Sequence, residues 1–365
     1  MKIFKIFIVI LILLFLSNKL AKQFLEQTNF EKKSKKDFIE KVYGKENLSD
    51  YLDVMEQQTY PLEYSPYIEF KETPRIHSFV SVSKIGNRCN KINTSICLPP
   101  KGGENEIWIF GGSTTFGFGV KNNETITAHL EKILSNKKRV INFGQGYFYS
   151  TQERIFFQNL LLMYDKPFAA IFIDGFNDFI QQINSNNNFT EHSVISISIA
   201  KSFEKKSKIK ILKNWFKERF VRLNLVRLFN EKMNRDKKEK FIEFDEKKIK
   251  YLMKRIKNNF KINKSIGNSY NIKIINILQP IAIYDDSYST SNLPEDFYKK
   301  KNQSFNNHKK LYQLINKNLQ IKEYIDLNLS NLKIEETMFV DLAHYSSEFN
   351  EEIARQIALK LNFDN

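Results

Sequence analysis

The sequence predicts an α/β fold in which a parallel sheet carries helices on both of its faces. Short apolar runs alternate with segments of helical periodicity, a pattern typical of strands buried on both faces. Five runs have this character, and they cover Ile107–Phe110, Arg139–Asn142, Ala169–Ile173, Lys273–Leu278 and Glu323–Asp326. Helical patterns follow the first two runs, at Thr125–Leu134 and Thr151–Met163.

Two of the predicted strands end in clusters of glycine and polar residues. The first strand runs into Gly111–Gly117, which reads GGSTTFG, and the third runs into Asp174–Asp178, which reads DGFND. In a parallel sheet the reactive residues belong at the carboxyl ends of the strands. Ser113 and Asn177 therefore stand where such a fold places a functional site.

Composition indicates a folded chain whose positive charge is concentrated in one segment. The 365 residues include 32 Phe and are 42% hydrophobic, which permits a sizeable core. The formal net charge is +16, and Lys201 to Ser265 alone hold 23 Lys and Arg against 8 Asp and Glu, a net of +15. Such a segment can bind nucleic acid, an anionic membrane or an acidic polymer, or be a solvated surface. No nucleic-acid-binding motif accompanies it, so no nucleic-acid partner is predicted.

We interpret the basic segment as part of a helical insertion at about 185–265, between the third and fourth predicted strands. Those strands are separated by roughly a hundred residues, far more than a crossover connection needs. Apolar residues recur there at near-helical spacing, at Ile209, Leu212, Trp215, Phe216, Phe220, Leu223, Val226 and Leu228. This amphipathic pattern predicts either a cap that packs on the domain, which we favour, or a helix on an anionic membrane.

The N-terminus predicts export from the cytoplasm. A charged start precedes the uninterrupted apolar run Ile6–Leu16, and no convincing small-x-small cleavage site follows that run. We therefore expect residues 1–23 to be an uncleaved signal anchor that enters the membrane through residues 3–16. The bulk of the chain is then extracytoplasmic, in the periplasm or at the cell surface, and a cleaved signal would make the protein secreted.

Residues 24–100 are polar and aromatic without repeating periodicity, and we predict that they form a stem, or N-terminal extension. The breaker cluster Pro99–Gly103 marks the start of the predicted α/β domain, residues 101–365. The stem contains the only two cysteines, Cys89 and Cys97. In an exported chain their spacing suits a disulfide that closes a small loop, and the alternative is two free thiols.

A serine, a histidine and an aspartate supply the parts of an activated nucleophile. A serine hydroxyl needs an adjacent base at neutral pH, and Ser113 stands at a strand-to-helix turn. Near the C-terminus Asp341 and His344 are three residues apart, so a helical turn or tight loop places them on one side. His344 would take the serine proton and Asp341 would hold the imidazole tautomer. The alternatives are a helix-capping Ser113 and a surface ion pair of Asp341 with His344.

An acyl-transfer reaction also needs donors for the oxyanion that develops on the former carbonyl oxygen. The candidates are the Ser113 N–H, the Asn177 side-chain amide and a backbone N–H within Asn142–Gly146. Other histidines that could act as the base are His77, His129, His192 and His308, but no motif surrounds them. The sequence contains no phosphate loop, no dinucleotide fingerprint and no clear metal cluster, so neither a cofactor nor a metal is predicted.

These segments resemble the SGNH, or GDSL-type, hydrolase superfamily over about residues 101–365, apart from the basic insert. Gly111–Gly117 matches its block I, with Ser113 as the nucleophile. Gly175–Asp178 matches the G-x-N-D of block III, and Asp341–His344 matches the D-x-x-H of block V.

The block II segment, Asn142–Gly146, departs from the usual family pattern. Its second glycine stands one place earlier than in the common N-x-G-x-x-G. The resemblance implies that Gly146, with Gly144 as the second choice, donates its N–H to the oxyanion beside Asn177, and that Asp178 is structural.

The resemblance also implies a flavodoxin-like three-layer α/β/α fold with a five-stranded parallel sheet, and a serine esterase that forms an acyl-enzyme. We expect the substrate to be an O-acyl ester, for example O-acetyl, on an envelope or extracellular glycan or lipid. Two other functions stay open. The same triad could serve an O-acyltransferase that acts on a glycan, or the fold could belong to a non-catalytic glycan-binding or scaffold protein.

Overall fold

The computed structural model describes most of the predicted catalytic domain and much of the extension. The described residues are 19, 30–58, 61–92, 97, 99–178, 246–281, 324–326, 337–341 and 343–361. Residues 38–198 and 242–365 form one compact unit, and residues 1–37 and 199–241 form another. Apart from the start of the first helix, every element described below belongs to the unit that contains residue 113.

Five parallel strands form the central sheet, in the order β4-β3-β5-β6-β7. These strands are β3 (Gly103–Gly111), β4 (Arg139–Asn142), β5 (Pro167–Asp174), β6 (Lys273–Leu278) and β7 (Tyr324–Asp326). Each one overlaps a run predicted from the sequence. The carboxyl ends of β3 and β5 lie side by side, because Gly111 pairs with Ile173. This register brings the GGSTTFG and DGFND segments to the same edge of the sheet.

Helices cover both faces of the sheet. The elements that follow β3, β4, β5 and β7 are α3 (Ser113–Phe116), α4 (Ile126–Ile133), α5 (Ser150–Leu161), α6 (Glu246–Tyr270) and α7 (Ser347–Leu361), with a 3-10 turn at Asn122–Glu124. Alternate residues of β3 point to opposite faces, as the strand period requires. Ile107 and Ile109 join the core cluster that contains buried residues of α4 and α7.

The opposite face of the sheet is packed with aromatic rings. Phe110 of β3 stacks on Phe172 of β5 with ring centroids 5.0 Å apart, and it also contacts Phe156 and Phe157 of α5. These rings are buried. Offset and edge-on aromatic pairs of this kind add to the stabilisation that the burial of their area provides. The fold is thus a sandwich of helices, sheet and helices.

Helix α6 corrects the predicted boundary of the basic insert. Its residues Leu252, Met253, Ile256 and Phe260 are buried, and the helix contacts α5 and leads into β6. Its Lys-rich face is therefore the solvated side of a core helix. The part of the predicted insert from 246 to 265 belongs to the central domain, whereas residues 179–245, which include the amphipathic pattern at 209–228, lie outside the described residues.

The extension is packed into the domain from residue 38 onwards, so the predicted division at residue 101 does not separate two bodies. Its elements are α1 (Phe30–Tyr43), α2 (Leu48–Gln57) and a hairpin of β1 (Leu62–Ser65) with β2 (Glu69–Glu72). Val54 of α2 forms a buried cluster with Val80, Val82 and Phe116, which follows the serine. Because these elements are short, their apolar residues show no repeating period in the sequence.

The predicted signal anchor, residues 1–23, lies outside the described residues except for Lys19. Among the helices that are described, none is long and apolar enough to cross a membrane.

Cys89 and Cys97 form a disulfide, with their Cα atoms 5.0 Å apart. The residues next to Cys89 fasten this loop to the edge strand β4. The Arg88 N–H donates to the Asn142 carbonyl at 3.0 Å, and the Asn90 side-chain amide donates to the Val140 carbonyl at 2.7 Å. The pairing is the one expected from the sequence.

Replacing both cysteines by alanine should lower the free energy of unfolding by about 2–3 kcal/mol, because the unfolded chain regains the entropy of a loop of this length. Guanidinium unfolding with and without a reductant measures the change. The reductant should destabilise the parent and leave the double variant unaffected. A parent whose midpoint does not respond to the reductant would contradict a stabilising disulfide.

Candidate active site

Ser113 is the first residue of α3, immediately after strand β3. Gly112 connects the two elements and lies against the Asn177 side chain, since a Cβ at Gly112 would be 2.3 Å from Asn177 Nδ2. Helix α3 ends at Gly117, whose φ of 89° suits glycine. The N–H groups at the start of a helix have no acceptor within the helix, so the backbone N–H of Ser113 is available to a substrate oxygen.

Asp341 and His344 lie in the loop before α7 and reach the serine. His344 Nε2 is 2.8 Å from Ser113 Oγ, and His344 Nδ1 is 2.7 Å from Asp341 Oδ2. The other carboxylate oxygen, Asp341 Oδ1, accepts the backbone N–H groups of Ala343 and His344, both at 2.9 Å. These bonds explain the D-x-x-H spacing. One oxygen of Asp341 accepts the backbone N–H groups of the turn, and the other oxygen orients the imidazole of His344.

The environment of Asp341 keeps its carboxylate ionised. Burial alone would raise the pKa of Asp341, but the adjacent His344 and the hydrogen bonds from His344 and Ala343 outweigh that effect. The resulting pKa lies well below the ordinary value for an aspartate. A carboxylate that stays charged can stabilise the imidazolium that forms when His344 takes a proton.

The other described histidines have partners elsewhere. His77 Nε2 is 3.2 Å from Asp53 Oδ2, and His129 Nε2 is 3.2 Å from Ser347 Oγ. Burial lowers the pKa of His129. His192 and His308 lie outside the described residues. Among the histidines described, the structure brings His344 to the serine.

Asn177 lies in the helical residues 176–178 that follow β5, beside Gly112. Its Nδ2 donates to the Phe148 carbonyl at 2.7 Å. A side-chain amide carries two N–H groups, so this bond orients the amide and leaves one donor for an oxyanion. The neighbouring Asp178 accepts the N–H and the hydroxyl of Ser150 at 2.9 and 2.6 Å, which is a structural role at the start of α5.

Gly146 and Gly144 differ from the roles expected of them. The Gly146 N–H donates to Glu72 Oε1 at 3.2 Å, and the Gly144 N–H donates to Asn142 Oδ1 at 2.9 Å. Both amides are therefore engaged within the protein, and the structure does not present Gly146 as a free oxyanion donor. The physical reason is that the extension brings a buried carboxylate, Glu72, to this loop, where it is also ion-paired with Arg75 at 3.2 Å.

Two contacts around the triad have no counterpart in the sequence reasoning. The ring of Phe118 lies against the imidazole of His344, with centroids 4.6 Å apart. Gly144 packs on the turn that follows the serine, since a Cβ there would be 2.2 Å from the Phe116 nitrogen. The only sequence signal for Phe118 is its position next to the GGSTTFG segment. The contact of Glu72 with Gly146 has no local signal, because it joins residues 74 positions apart.

Three carboxyl groups are buried together beneath this edge of the sheet. Glu153, Asp174 and Asp178 are each at most 3% exposed. Burial raises the pKa of all three groups, and the neighbouring carboxyls raise those of Glu153 and Asp174 further. No group of three or more acidic, histidine or cysteine side chains within the described ranges could hold a metal ion. The raised pKa values favour the protonated, neutral forms of Glu153 and Asp174.

Comparisons with known proteins find structural likeness at low identity. No protein-family model and no curated protein matches this sequence. An acetyl xylan esterase, AlAXEase, is 11% identical and aligns over 70% of this chain and 99% of its own, with a TM-score of 0.37. A protein described as lipolytic and of the G-D-S-L family, from Desulfitobacterium hafniense DCB-2, is 13% identical over 71% of this chain and 99% of its own, with a TM-score of 0.36.

A carbohydrate acetylesterase family member from Sinorhizobium meliloti is 12% identical over 70% of this chain and 97% of its own, with a TM-score of 0.33. Because each TM-score is below 0.5, the assignment of the site rests on the distances among this chain's own residues.

Replacing Asp174 by Asn should change how stability depends on pH. The folded-state pKa of Asp174 is raised above an unfolded value of about 3.9, so the folded chain binds an extra proton and the parent loses stability as pH rises from about 4. The asparagine amide does not titrate, so the variant lacks the loss of unfolding free energy that Asp174 causes as pH rises. Guanidinium unfolding at about pH 5 and about pH 8 should show the parent losing roughly 1–3 kcal/mol more than the variant. Equal losses in both proteins would contradict the raised pKa.

Replacing Asp341 by Asn should lower kcat for ester hydrolysis by roughly 10³–10⁴-fold, because an amide favours the wrong imidazole tautomer and cannot stabilise its cation. The matched control is Asp53→Asn, which removes the carboxylate from the other Asp–His pair of the described chain, at His77. That control should keep the parent kcat. Similar losses in the two variants would show that the effect does not come from the triad.

Proposed function

We propose that this protein is a serine esterase of the SGNH type. The observation that carries the proposal is the continuous hydrogen-bonded chain from Ser113 Oγ to His344 Nε2, at 2.8 Å, and from His344 Nδ1 to Asp341 Oδ2, at 2.7 Å. A nucleophile, its base and the group that orients the base are thus within reach of one another. Ser113 is partly exposed, so a substrate can approach its hydroxyl.

The geometry supports a two-step reaction through an acyl-enzyme. As Ser113 Oγ attacks the ester carbonyl carbon, His344 Nε2 takes the hydroxyl proton and Asp341 stabilises the resulting imidazolium. The carbonyl oxygen becomes an oxyanion, which accepts from the Ser113 N–H and the Asn177 side-chain amide. His344 then protonates the leaving alkoxide, and the acyl group stays on Oγ.

Water completes the cycle. It attacks the acyl carbon while His344 takes one of its protons, and a second oxyanion forms in the same place. When the bond from the acyl carbon to Oγ breaks, His344 returns the proton to Ser113 and the free acid leaves. Every proton in this scheme moves through one imidazole, and the scheme uses only groups of the chain itself.

We further propose that the ester is an O-acyl group, such as O-acetyl, on an envelope or extracellular glycan or lipid. The motif resemblance and the N-terminal apolar segment support this substrate class, since an extracytoplasmic enzyme anchored through residues 3–16 would meet such esters. The Cys89–Cys97 disulfide agrees with an oxidising compartment.

A fluorophosphonate probe tests the proposal on the full-length chain in detergent. The parent should be labelled, Ser113→Ala should not be labelled, and His344→Ala should react at least about 100-fold more slowly, because the serine has lost its base. His129→Ala is the matched control, since this histidine is bonded to Ser347 at 3.2 Å, and it should react like the parent. A folded parent that is not labelled would refute an activated serine and favour a binding protein.

The products of an acetylated glycan then separate hydrolysis from transfer. Release of free acetate in water, lost in Ser113→Ala, is the expected result for an esterase. Acetate that appears only on an added glycan acceptor would instead make the protein an O-acyltransferase with the same triad.

A further inference from the structure

The segment Gly117–Val120 follows the serine helix α3 and packs against the loop that carries Asp341 and His344. Phe118 lies against the His344 ring, with centroids 4.6 Å apart and planes inclined by 41°. Gly119 lies against Val340, because a Cβ at Gly119 would be 2.6 Å from Val340 Cγ2. The segment therefore contacts the Asp341–His344 loop on both sides of the aspartate.

Three side chains of the N-terminal extension bond to the backbone of this segment. Arg88 donates to the Gly117 and Val120 carbonyls at 2.5 and 2.6 Å, and Gln58 and Tyr43 supply the other bonds. Gln58 Oε1 accepts the Gly119 N–H at 2.6 Å, and Gln58 Nε2 donates to the Gly117 carbonyl at 2.8 Å. The Tyr43 hydroxyl donates to the Gly119 carbonyl at 2.9 Å. Gln58 is only 9% exposed. Its amide thus bonds in both directions across the residue Phe118, which itself packs against the apolar cluster of Ile39, Tyr51 and Met55.

The conformations of Gly117 and Gly119 allow these hydrogen bonds. Gly117 and Gly119 have φ values of 89° and 91°, in the left-handed region that other residues rarely adopt. A backbone of this shape exposes the N–H and carbonyl groups of the segment to the extension while it turns Phe118 towards His344. Arg88 holds the two ends of the segment, whereas the bonds from Gln58 and Tyr43 restrain Gly119 in its middle, where a glycine otherwise has much conformational freedom.

The position of Phe118 matters because Asp341 fixes only one end of the imidazole. The hydrogen bond at Nδ1 leaves the ring able to rotate about that bond, whereas an aromatic ring packed on its face restricts the rotation. A misplacement of about 1 Å in a catalytic group can cost on the order of 10²-fold in rate. Packing by Phe118 therefore helps to keep His344 Nε2 directed at Ser113 Oγ.

We propose that Gln58, assisted by Tyr43, is a positioning residue of the active site: it fixes the Gly117–Val120 segment and thereby holds Phe118 against the imidazole of His344. This inference rests on the esterase function proposed above. It assigns to the extension an indirect part in catalysis, through the position of His344.

Gln58→Met is the test variant, because methionine keeps the length of the side chain and removes both hydrogen bonds. Tyr43→Phe is a milder variant that removes one hydroxyl. The matched control is Asn90→Leu, which also turns an extension amide into an aliphatic side chain. Asn90 bonds Val140 at 2.7 Å and Thr127 at 2.7 Å, and it has no such bond to the Gly117–Val120 segment.

Histidine-selective NMR reads the position of the imidazole without any activity. The Hε1 resonance of His344, assigned by its absence from His344→Asn, should carry a ring-current shift from Phe118 that is lost in Phe118→Leu. In Gln58→Met the resonance should move most of the way towards the Phe118→Leu position, and in Tyr43→Phe part of the way. A resonance that stays at the parent position in both variants, while both remain folded, would overturn the proposal.

The rate of fluorophosphonate labelling gives the functional arm. Gln58→Met should react with Ser113 about tenfold more slowly than the parent and Tyr43→Phe about threefold more slowly, whereas Asn90→Leu should match the parent. Equal slowing by Asn90→Leu would mean a general loss of stability and would overturn the positioning role. If the resonance moves as expected but the parent is never labelled, the esterase function fails while the structural coupling stands.

Discussion

The hydrogen bond between Ser113 Oγ and His344 Nε2 is the constraint around which the rest of the structure is arranged. It joins residues 231 positions apart. It can form only if the C-terminal part of the chain returns to the edge of the sheet where strand β3 ends. Strand β3 delivers the serine to that edge, and the loop before α7 delivers the histidine. Because the strands are parallel, all of their carboxyl ends lie at one edge of the sheet. The 2.8 Å bond between Ser113 and His344 therefore depends on the order of the strands in the sheet.

A buried polar layer supports this edge from below. Asp178 bonds Ser150 at the start of α5, and Ser150 in turn accepts from the Asn259 amide of α6 at 2.8 Å. The segment that carries Asn177 is thus connected to two helices through side chains rather than through apolar packing alone. Burial raises the pKa of the neighbouring Glu153 and Asp174, which favours their neutral forms. These hydrogen bonds fix the orientation of the segment that carries Asn177, the candidate oxyanion donor, since each bond has a defined geometry.

The features that the sequence predicted well are those that depend on neighbouring residues. Strands β3 and β5 were visible because strands buried on both faces are apolar throughout, and the Asp341–His344 pair was visible because one turn joins its members. The contacts of Glu72 with Gly146 and of Gln58 with Gly119 were not visible, since they join residues 74 and 61 positions apart and have no local pattern. The sequence alone assigns part of α6 to an insert, because a lysine-rich solvated face has the same pattern on a cap and on a core helix.

The packing of the extension has a consequence for how this protein can be divided. The breaker cluster at Pro99–Gly103 has the look of a module boundary, yet the backbone just beyond the serine is held by Tyr43, Gln58 and Arg88, whose guanidinium donates to the Phe116 and Val120 carbonyls at 2.8 and 2.6 Å. The compact unit that contains the active site therefore begins near residue 38 and not at residue 101. The extension and the sheet domain are not modular: neither could be exchanged for a homologous piece without a matching change in the other.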